Sequence, residues 1–523
     1  MEEIEKKKNL DSTSQTTTKK KNVKLNYFYN LAYQIFLVIV PLVVTPYISR
    51  VLTPEGVGQY SFAFSIITYF TIIGALGFGT YAQREIAKHQ GDKYFQTKSF
   101  WEINICRLLP VSIALIINIT FCSIGLYGAY NQLMWIFNIN IVAIAFDIAF
   151  LYQGNEEFGK LVLRNFIVKA LSISAIFIFV KNSNDLWLYT LINALSVFLS
   201  NGIMWAICHK FLIRINFKDL KPLSHLKGTL ILFLPTIAVS IYTVLDKTLI
   251  GLLITDTYET TIEETVNGIT TTTTIIKQYS DLENGYYEQS EKLIKMAMTI
   301  ITAIGTVMIP RNSSEFAKGN LEAVKKNINI SSNLVLLIGL PLVLGFIVIA
   351  QNMVPWFFGD GYDKCTILIR ILAPLIIIIG FSNVFGLQYL VPSGQDRKYT
   401  FAIIAGAVVN LILNLVFIKL WWSIGAAIAT IIAESVVTII MACMVKNEVN
   451  FFKLILNGWK YYIAAAIMYG ACFAISYFLE SSILHSVIII LTGIVTYFVP
   501  LIVMKEQNVV NTLERIRTKI FKK

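Results

Sequence analysis

The sequence predicts an all-α polytopic membrane protein of fourteen transmembrane helices, built as two pseudo-symmetric six-helix lobes plus two C-terminal helices. Three observations carry this. Long apolar stretches fill the chain, nearly all Lys and Arg fall in every second gap between them, and the second half repeats landmarks of the first.

The stretches run approximately 26–48, 60–80, 105–127, 133–152, 162–180, 186–208, 229–252, 291–310, 330–350, 365–390, 400–418, 424–445, 461–479 and 486–504. At roughly 17 to 25 residues and about 1.5 Å rise per residue, each can cross a hydrocarbon core about 30 Å thick. The gaps assigned outside hold only Arg50, Lys181, Lys277, Lys364 and Lys419, so by the positive-inside rule both termini are cytoplasmic. All eight Trp lie at or near predicted helix ends, as an interfacial belt requires.

Composition agrees: 55% of residues are hydrophobic and 15% charged, with a mean hydropathy of +0.64. The net charge of +12 comes mostly from the inside loops, which face anionic lipid, so it argues for a membrane rather than a nucleic-acid partner. Residues 1–25 lack an apolar core and cleavage site ahead of the first helix and read as a disordered basic cytoplasmic tail, and 505–523 read as a cytoplasmic basic tail. The six Cys show no CxxC spacing, which indicates neither a disulfide framework nor a metal site.

Gly58-Gln59-Tyr60 and Gly285-Tyr286-Tyr287 lie 227 residues apart, and that offset holds as far as Arg84 and Arg311, each just past a helix end. Pro110 to Gly128 is then matched by Pro341 to Gly359, and Lys160 to Lys181 by Lys398 to Lys419. Six helices per unit is an even number, so both units enter from the same side, related by an axis near the membrane normal. The expected lobes are 26–208 and 229–445, and helices 461–504 have no counterpart.

The second unit is longer only between its first two helices, where 255–284 forms an external insertion. There Asn267-Gly268 is flanked by near-alternating segments, the signal of a type I′ hairpin pairing Val266 with Ile269; the alternative is an irregular Thr-rich loop.

A charge at the centre of a spanning helix costs about 2.5 to 3.5 kcal/mol, so each needs a polar cavity or a partner. Glu434 is the acid nearest the midplane. The adjacent helix carries Asn410 and Asn414 one turn apart, and Lys169 is the nearest cation in depth. Two readings stay open: a coupling site, with Asp246 and Asp147 next in line after Glu434, or a hydrogen-bond cluster sealing helices. Nearer the outside lie Arg50, Asp246, Lys247, Lys292, Lys295 and Arg370. Glu288 with Lys292 and Glu291 with Lys295 have the favourable i,i+4 order. Asp246 and Lys247 point about 100° apart, so they need different partners. Arg84 and Arg311, one per lobe, suit a diphosphate clamp or serve as positive-inside determinants. Arg50, Arg84, Lys247, Lys292, Lys295 and Arg311 are thus the candidate substrate-binding cations.

Val244-Leu245-Asp246-Lys247-Thr248-Leu249-Ile250-Gly251, Gly305-Thr306-Val307-Met308-Ile309-Pro310-Arg311 and Leu387-Gln388-Tyr389-Leu390 together resemble the Wzx-type oligosaccharide flippases. The opening Pro46-Tyr47-Ile48-Ser49-Arg50-Val51-Leu52 looks like the first hairpin of the same family, the polysaccharide transport branch of the MOP exporter superfamily. The resemblance covers about residues 24–505. It implies a MATE-like two-lobe fold with a cation-lined cavity. It also implies export of undecaprenyl-pyrophosphate-linked oligosaccharide repeat units to the outer leaflet of a bacterial plasma membrane, for capsule, exopolysaccharide or O-antigen assembly, in company with polymerase or chain-length proteins. The insertion at about 255–284 departs from the family pattern. An enzyme is disfavoured: the one long loop has a single Lys and no His, Cys or Arg, and no catalytic residue or cofactor is expected. A cation-coupled drug exporter of the same superfamily is the stronger rival. No Walker motif is present.

Overall fold

The computed structural model describes residues 23–266 and 269–520. The tail before residue 23, the Asn267-Gly268 turn and residues 521–523 lie outside them. The chain is helical apart from one hairpin. Helix α1 (Val23–Ala75) is followed by α2 (Phe78–Lys88), α3 (Lys93–Ser123), α4 (Asn131–Ala145), α5 (Ala149–Gly154), α6 (Phe158–Phe179) and α7 (Leu186–Cys208). The second half comprises α8 (Leu226–Leu253), strands β1 (Thr257–Val266) and β2 (Ile269–Gln278), α9 (Tyr279–Ala317), α10 (Leu321–Phe358), α11 (Lys364–Leu372), α12 (Leu375–Phe385) and α13 (Asp396–Met444). Four helices complete the chain: α14 (Phe451–Asn457), α15 (Trp459–Phe478), α16 (Ile483–Val503) and α17 (Gln507–Ile520).

Among the described residues, eleven helical stretches are long and apolar enough to cross a membrane. Two of them, Ile39–Lys88 and Asp396–Met444, each cover a pair of the expected spans. The sequence places gaps near 49–59 and 419–423, but the structure turns the chain at single residues, Thr53 (φ 59°) and Trp422 (φ 55°). Pro54 explains the first: without an N–H it opens a new helix as readily as it breaks an old one.

Local chemistry sets other boundaries. The Asp92 carboxylate caps α3 by accepting from the amides of Tyr94 (3.0 Å) and Phe95 (3.2 Å). Gly386–Leu390, within one of the motifs that carry the family resemblance, is a π turn; the Gln388 carbonyl accepts from Asn312 at 2.7 Å. Part of the expected C-terminal tail is the helix α17, anchored where Glu506 accepts from Tyr461 Oη (2.8 Å) and Val509 N (2.8 Å).

β1 and β2 pair antiparallel from Thr257↔Gln278 to Val266↔Ile269, the register expected from the Asn-Gly signal. Buried apolar residues between 249 and 509 form one cluster and those between 40 and 208 form three others, so the core divides between two halves. Helices α15 and α16 pack on α10: Tyr497 donates to the Leu337 carbonyl (2.9 Å) and Trp356 Nε1 to Ser486 Oγ (2.7 Å).

The halves meet where α1 crosses α9. A Cβ on Gly58 would lie 1.7 Å from the Asp281 carbonyl oxygen, and one on Gly285 would lie 2.0 Å from that of Pro54. Residues 54 and 281, like 58 and 285, are 227 apart, so the contact is reciprocal, as at a two-fold axis. Glycine at both positions lets the backbones touch. Ser61 donates to Glu288, again 227 residues on, at 3.1 Å.

Candidate functional site

The two ends of the bundle differ. At the hairpin end, the base of the β-insertion reaches across to the first half. Tyr258 donates to Glu55 (3.1 Å) and Lys277 lies 3.5 Å from the same oxygen. Tyr130 and Gln59 donate to Asp281 at 2.7 and 3.0 Å, and Tyr69 pairs with Thr248 at 2.9 Å. At the linker end, reached by residues 209–225, the buried His225 bonds Tyr81 (2.8 Å) and Glu102 (3.0 Å). Glu102 also accepts from the Lys221 amide at 2.7 Å. These bonds join α2 and α3 to the foot of α8.

One helical step on α8 separates two environments. Asp246, 7% exposed, faces into the second half. It accepts from Tyr287 Oη (2.5 Å), Thr430 Oγ1 (2.6 Å) and Asn414 Nδ2 (2.6 Å), and Asn414 in turn reaches Asn410 at 3.0 Å. Three neutral donors thus hold a carboxylate with no cation in ion-pair range among the described residues. Asn410 Nδ2 and Asn414 Oδ1 have no partner there.

Lys247 points the other way, as the 100° rule required. Its ammonium bridges Glu288 and Glu291, the latter at 3.0 Å, and Glu291 also pairs with Lys295 at 2.6 Å. The expected Glu291–Lys295 pair forms, whereas Glu288–Lys292 does not, because Lys247 and Ser61 take the Glu288 carboxylate. Lys292 is left without a carboxylate in ion-pair range among the described residues. It lines a cavity of about 290 Å³ together with the two acids and the other two lysines. The charge of Glu288 attracts it, and that of Lys169, on α6 in the first half, opposes this more weakly. Tyr60 and Tyr189, also from the first half, pack edge to face at 4.9 Å and feel the Glu288 charge.

The remaining candidates lie apart. Arg50 is exposed at the hairpin end and donates to the Trp356 carbonyl, a cross-half strut. Arg84 and Arg311 are both exposed toward the linker end, on α2 and α9. Asp147 accepts from the Ala149 amide (3.0 Å) at the start of α5, and its carbonyl takes a hydrogen bond from Arg107 (2.5 Å). Glu434 is half-buried on α13. It does not share the asparagine pair: Asn410 Nδ2 has no bond, and Asn414 Nδ2 donates to Asp246 and Asn410. The asparagine pair thus bonds Asp246, on α8. Sequence reasoning passed over Arg107, 3% exposed, whose depth in α3 was a readable signal, and Tyr287 and Thr430, which only tertiary packing brings to Asp246. No group of three or more His, Cys, Asp or Glu among the described residues has the arrangement of a metal site.

The profile of polysaccharide biosynthesis proteins matches residues 23–316. A protein of Escherichia coli (strain K12) named for O-antigen transport is 24% identical over 440 residues, 82% of this chain and 98% of the relative. A protein of Haloferax volcanii named as a flippase of low-salt glycan biosynthesis is 26% identical over 192 residues, 36% of this chain and 40% of the relative. Among solved structures, the lipid II flippase MurJ in an inward closed conformation aligns with a TM-score of 0.69 at 17% identity, covering 91% of this chain and 97% of its own. An inward-facing multidrug resistance MATE transporter of the MOP superfamily aligns at 0.58 with 14% identity, covering 82% and 95%. At such identities the likeness to solved structures establishes the fold.

Proposed function

The chain belongs to the polysaccharide biosynthesis protein family, and we propose that it flips undecaprenyl-pyrophosphate-linked oligosaccharide repeat units from the inner to the outer leaflet by alternating access. It does so in a bacterial plasma membrane with both termini cytoplasmic, which makes the hairpin end external, and serves capsule, exopolysaccharide or O-antigen assembly. Transfer makes and breaks no covalent bond. Polymerase and chain-length proteins take over the product.

The observation that carries this reading is the pair Lys169 and Lys292. They are cations on opposite halves, neither with a carboxylate in ion-pair range among the described residues, and the charge of Lys169 reaches Lys292 across the halves, where Glu288 offsets it. Two ammonium groups that repel in the empty protein gain a common partner when a pyrophosphate enters, so substrate binding draws the halves together. Lys247 and Lys295 hold Glu288 and Glu291 in ion pairs, so Glu288 attracts Lys292 without reaching ion-pair distance. Arg84 and Arg311 supply a first electrostatic capture at the cytoplasmic mouth, and Arg50 acts on the outer gate. Asp246 is the foremost coupling acid, ahead of Glu434 and Asp147, because protonation there alters the bonds joining α8, α9 and α13.

A drug exporter of the MATE type would instead leave acids unpaired in the cavity. Depleting the protein tests the choice. Lipid-linked saccharide accumulating on the cytoplasmic leaflet supports the flippase, whereas unchanged lipid pools with raised drug sensitivity support the exporter.

A further inference from the structure

A groove of about 810 Å³ opens at the hairpin end between α10, α11 and α15, outside the space between the halves. Its floor carries Arg370, whose Nε donates to the Ile347 carbonyl (3.0 Å) and whose Nη2 donates to Gln351 (3.2 Å). No carboxylate lies in ion-pair range of this guanidinium among the described residues, and one guanidinium nitrogen carries no recorded bond. At the groove's rim the Glu480 carboxylate is exposed and has no cation in ion-pair range among the described residues. Tyr469, Phe473 and Tyr477 give the same groove an aromatic wall, with Phe473 56% and Tyr477 80% exposed.

An unpaired cation, an unpaired anion and an aromatic wall in one groove at the ends of spanning helices match a lipid headgroup with its acyl chain. Aromatic side chains favour that level of the bilayer. We propose that this groove binds a zwitterionic aminophospholipid of the hairpin-end leaflet. Its phosphate sits on Arg370, its ammonium on Glu480, and one chain lies along Phe473 and Tyr477. A guanidinium presents a planar fork to phosphate oxygens, and a carboxylate at the mouth favours a headgroup amine over a bare anion. The groove has no counterpart in the first half. Helix α4, which corresponds to α11 in the duplication, contains neither Lys nor Arg, and nothing there corresponds to α15. The lipid therefore seats the two extra helices against the second half, beside Asn352, which bonds the Leu479 carbonyl at 2.8 Å.

The test uses the full chain, reconstituted in vesicles of equal parts phosphatidylethanolamine, phosphatidylglycerol and phosphatidylcholine, extracted mildly and assayed for retained lipid by native mass spectrometry. Wild type retains phosphatidylethanolamine over the other two. Arg370→Gln lowers that retention about tenfold, as expected for loss of one charge-assisted contact, while Arg370→Lys keeps most of it. Glu480→Gln keeps lipid but loses the preference for the amine. Equal retention in wild type and Arg370→Gln, no headgroup preference in wild type, or retention of added polyprenyl diphosphate in place of phospholipid would each overturn the proposal. Thermal unfolding of each variant in lipid-free detergent separates lost binding from lost fold.

Discussion

The hairpin end and the linker end join the same two halves by different means. At the hairpin end the contact is reciprocal: Gly58 against Asp281, Gly285 against Pro54, backbone on backbone. At the linker end, α2 and α3 meet the second half through α8 and the turn before it, by way of His225 and Glu102, while Arg84 and Arg311 stay exposed. Around this backbone crossing, Tyr258–Glu55, Tyr130–Asp281 and Ser61–Glu288 add side-chain bonds, which makes the contact a tight seal. A contact through one helix that is covalently continuous with the other half lets that half move while staying attached. The two ends are thus joined differently, by a backbone crossing at one and by a single helix with its preceding turn at the other.

The largest expected effect comes from breaking the seal. Gly58→Leu or Gly285→Leu forces the backbones apart, at a cost of about 1 to 3 kcal/mol from overpacking alone. Cysteines placed at Ser61 and Tyr69 then become reactive to a membrane-impermeant thiol reagent from the hairpin side, and export falls to background. Unchanged labelling would place the seal elsewhere.

Next in size is the cation pair. Lys169→Gln and Lys292→Gln each weaken binding of a polyprenyl diphosphate by about tenfold, while the double variant loses less than the product of the two, as expected of groups sharing one ligand. Exposed Lys295→Gln, whose charge already pairs with Glu291, changes binding little. Equal loss in all three would assign the effect to net charge.

Asp246→Asn keeps side-chain size and much of the hydrogen bonding but freezes the charge. The expected result is a protein that inserts and binds substrate, with transport no longer responding to a proton gradient. Glu434→Gln, outside the asparagine network, retains that response. A reversal of these two outcomes would restore the order expected from depth alone.

The smallest effect is at the strap. The Lys277–Glu55 pair is partly exposed, and such pairs contribute about 0 to 1 kcal/mol. Glu55→Gln therefore slows export less than about fivefold. Replacing 257–278 by a short turn removes the Tyr258 contact as well and costs more. Full export after that deletion would make the hairpin an appendage.

What the sequence shows and what it hides follows from range. The apolar stretches and the Val266–Ile269 register are local consequences of bilayer thickness and turn chemistry, so they were legible. The turns at Thr53 and Trp422 were read as gaps because a single left-handed residue leaves no compositional trace. The Glu288–Lys292 pair satisfied helix spacing yet lost its acid to Lys247, 41 residues earlier in the chain, which spacing on one helix cannot reveal. Asp246 was named, but its donors Tyr287, Asn414 and Thr430 come from helices distant in sequence. Arg107 is legible by its depth in α3, but its partners, the Asp147 and Ala145 carbonyls, come from a different helix end.

The central claim is that the protein carries a lipid-linked oligosaccharide across the bilayer. The direct test is reconstitution in proteoliposomes, with a fluorescent polyprenyl-diphosphate oligosaccharide confined at first to one leaflet and its sugar read by a membrane-impermeant lectin on the other. The account predicts lectin-accessible sugar with wild type, strongly slowed appearance with Lys169→Gln or Lys292→Gln, and none with Gly58→Leu. Sugar appearing at the protein-free rate with wild type, or at the wild-type rate with all three variants, would contradict it.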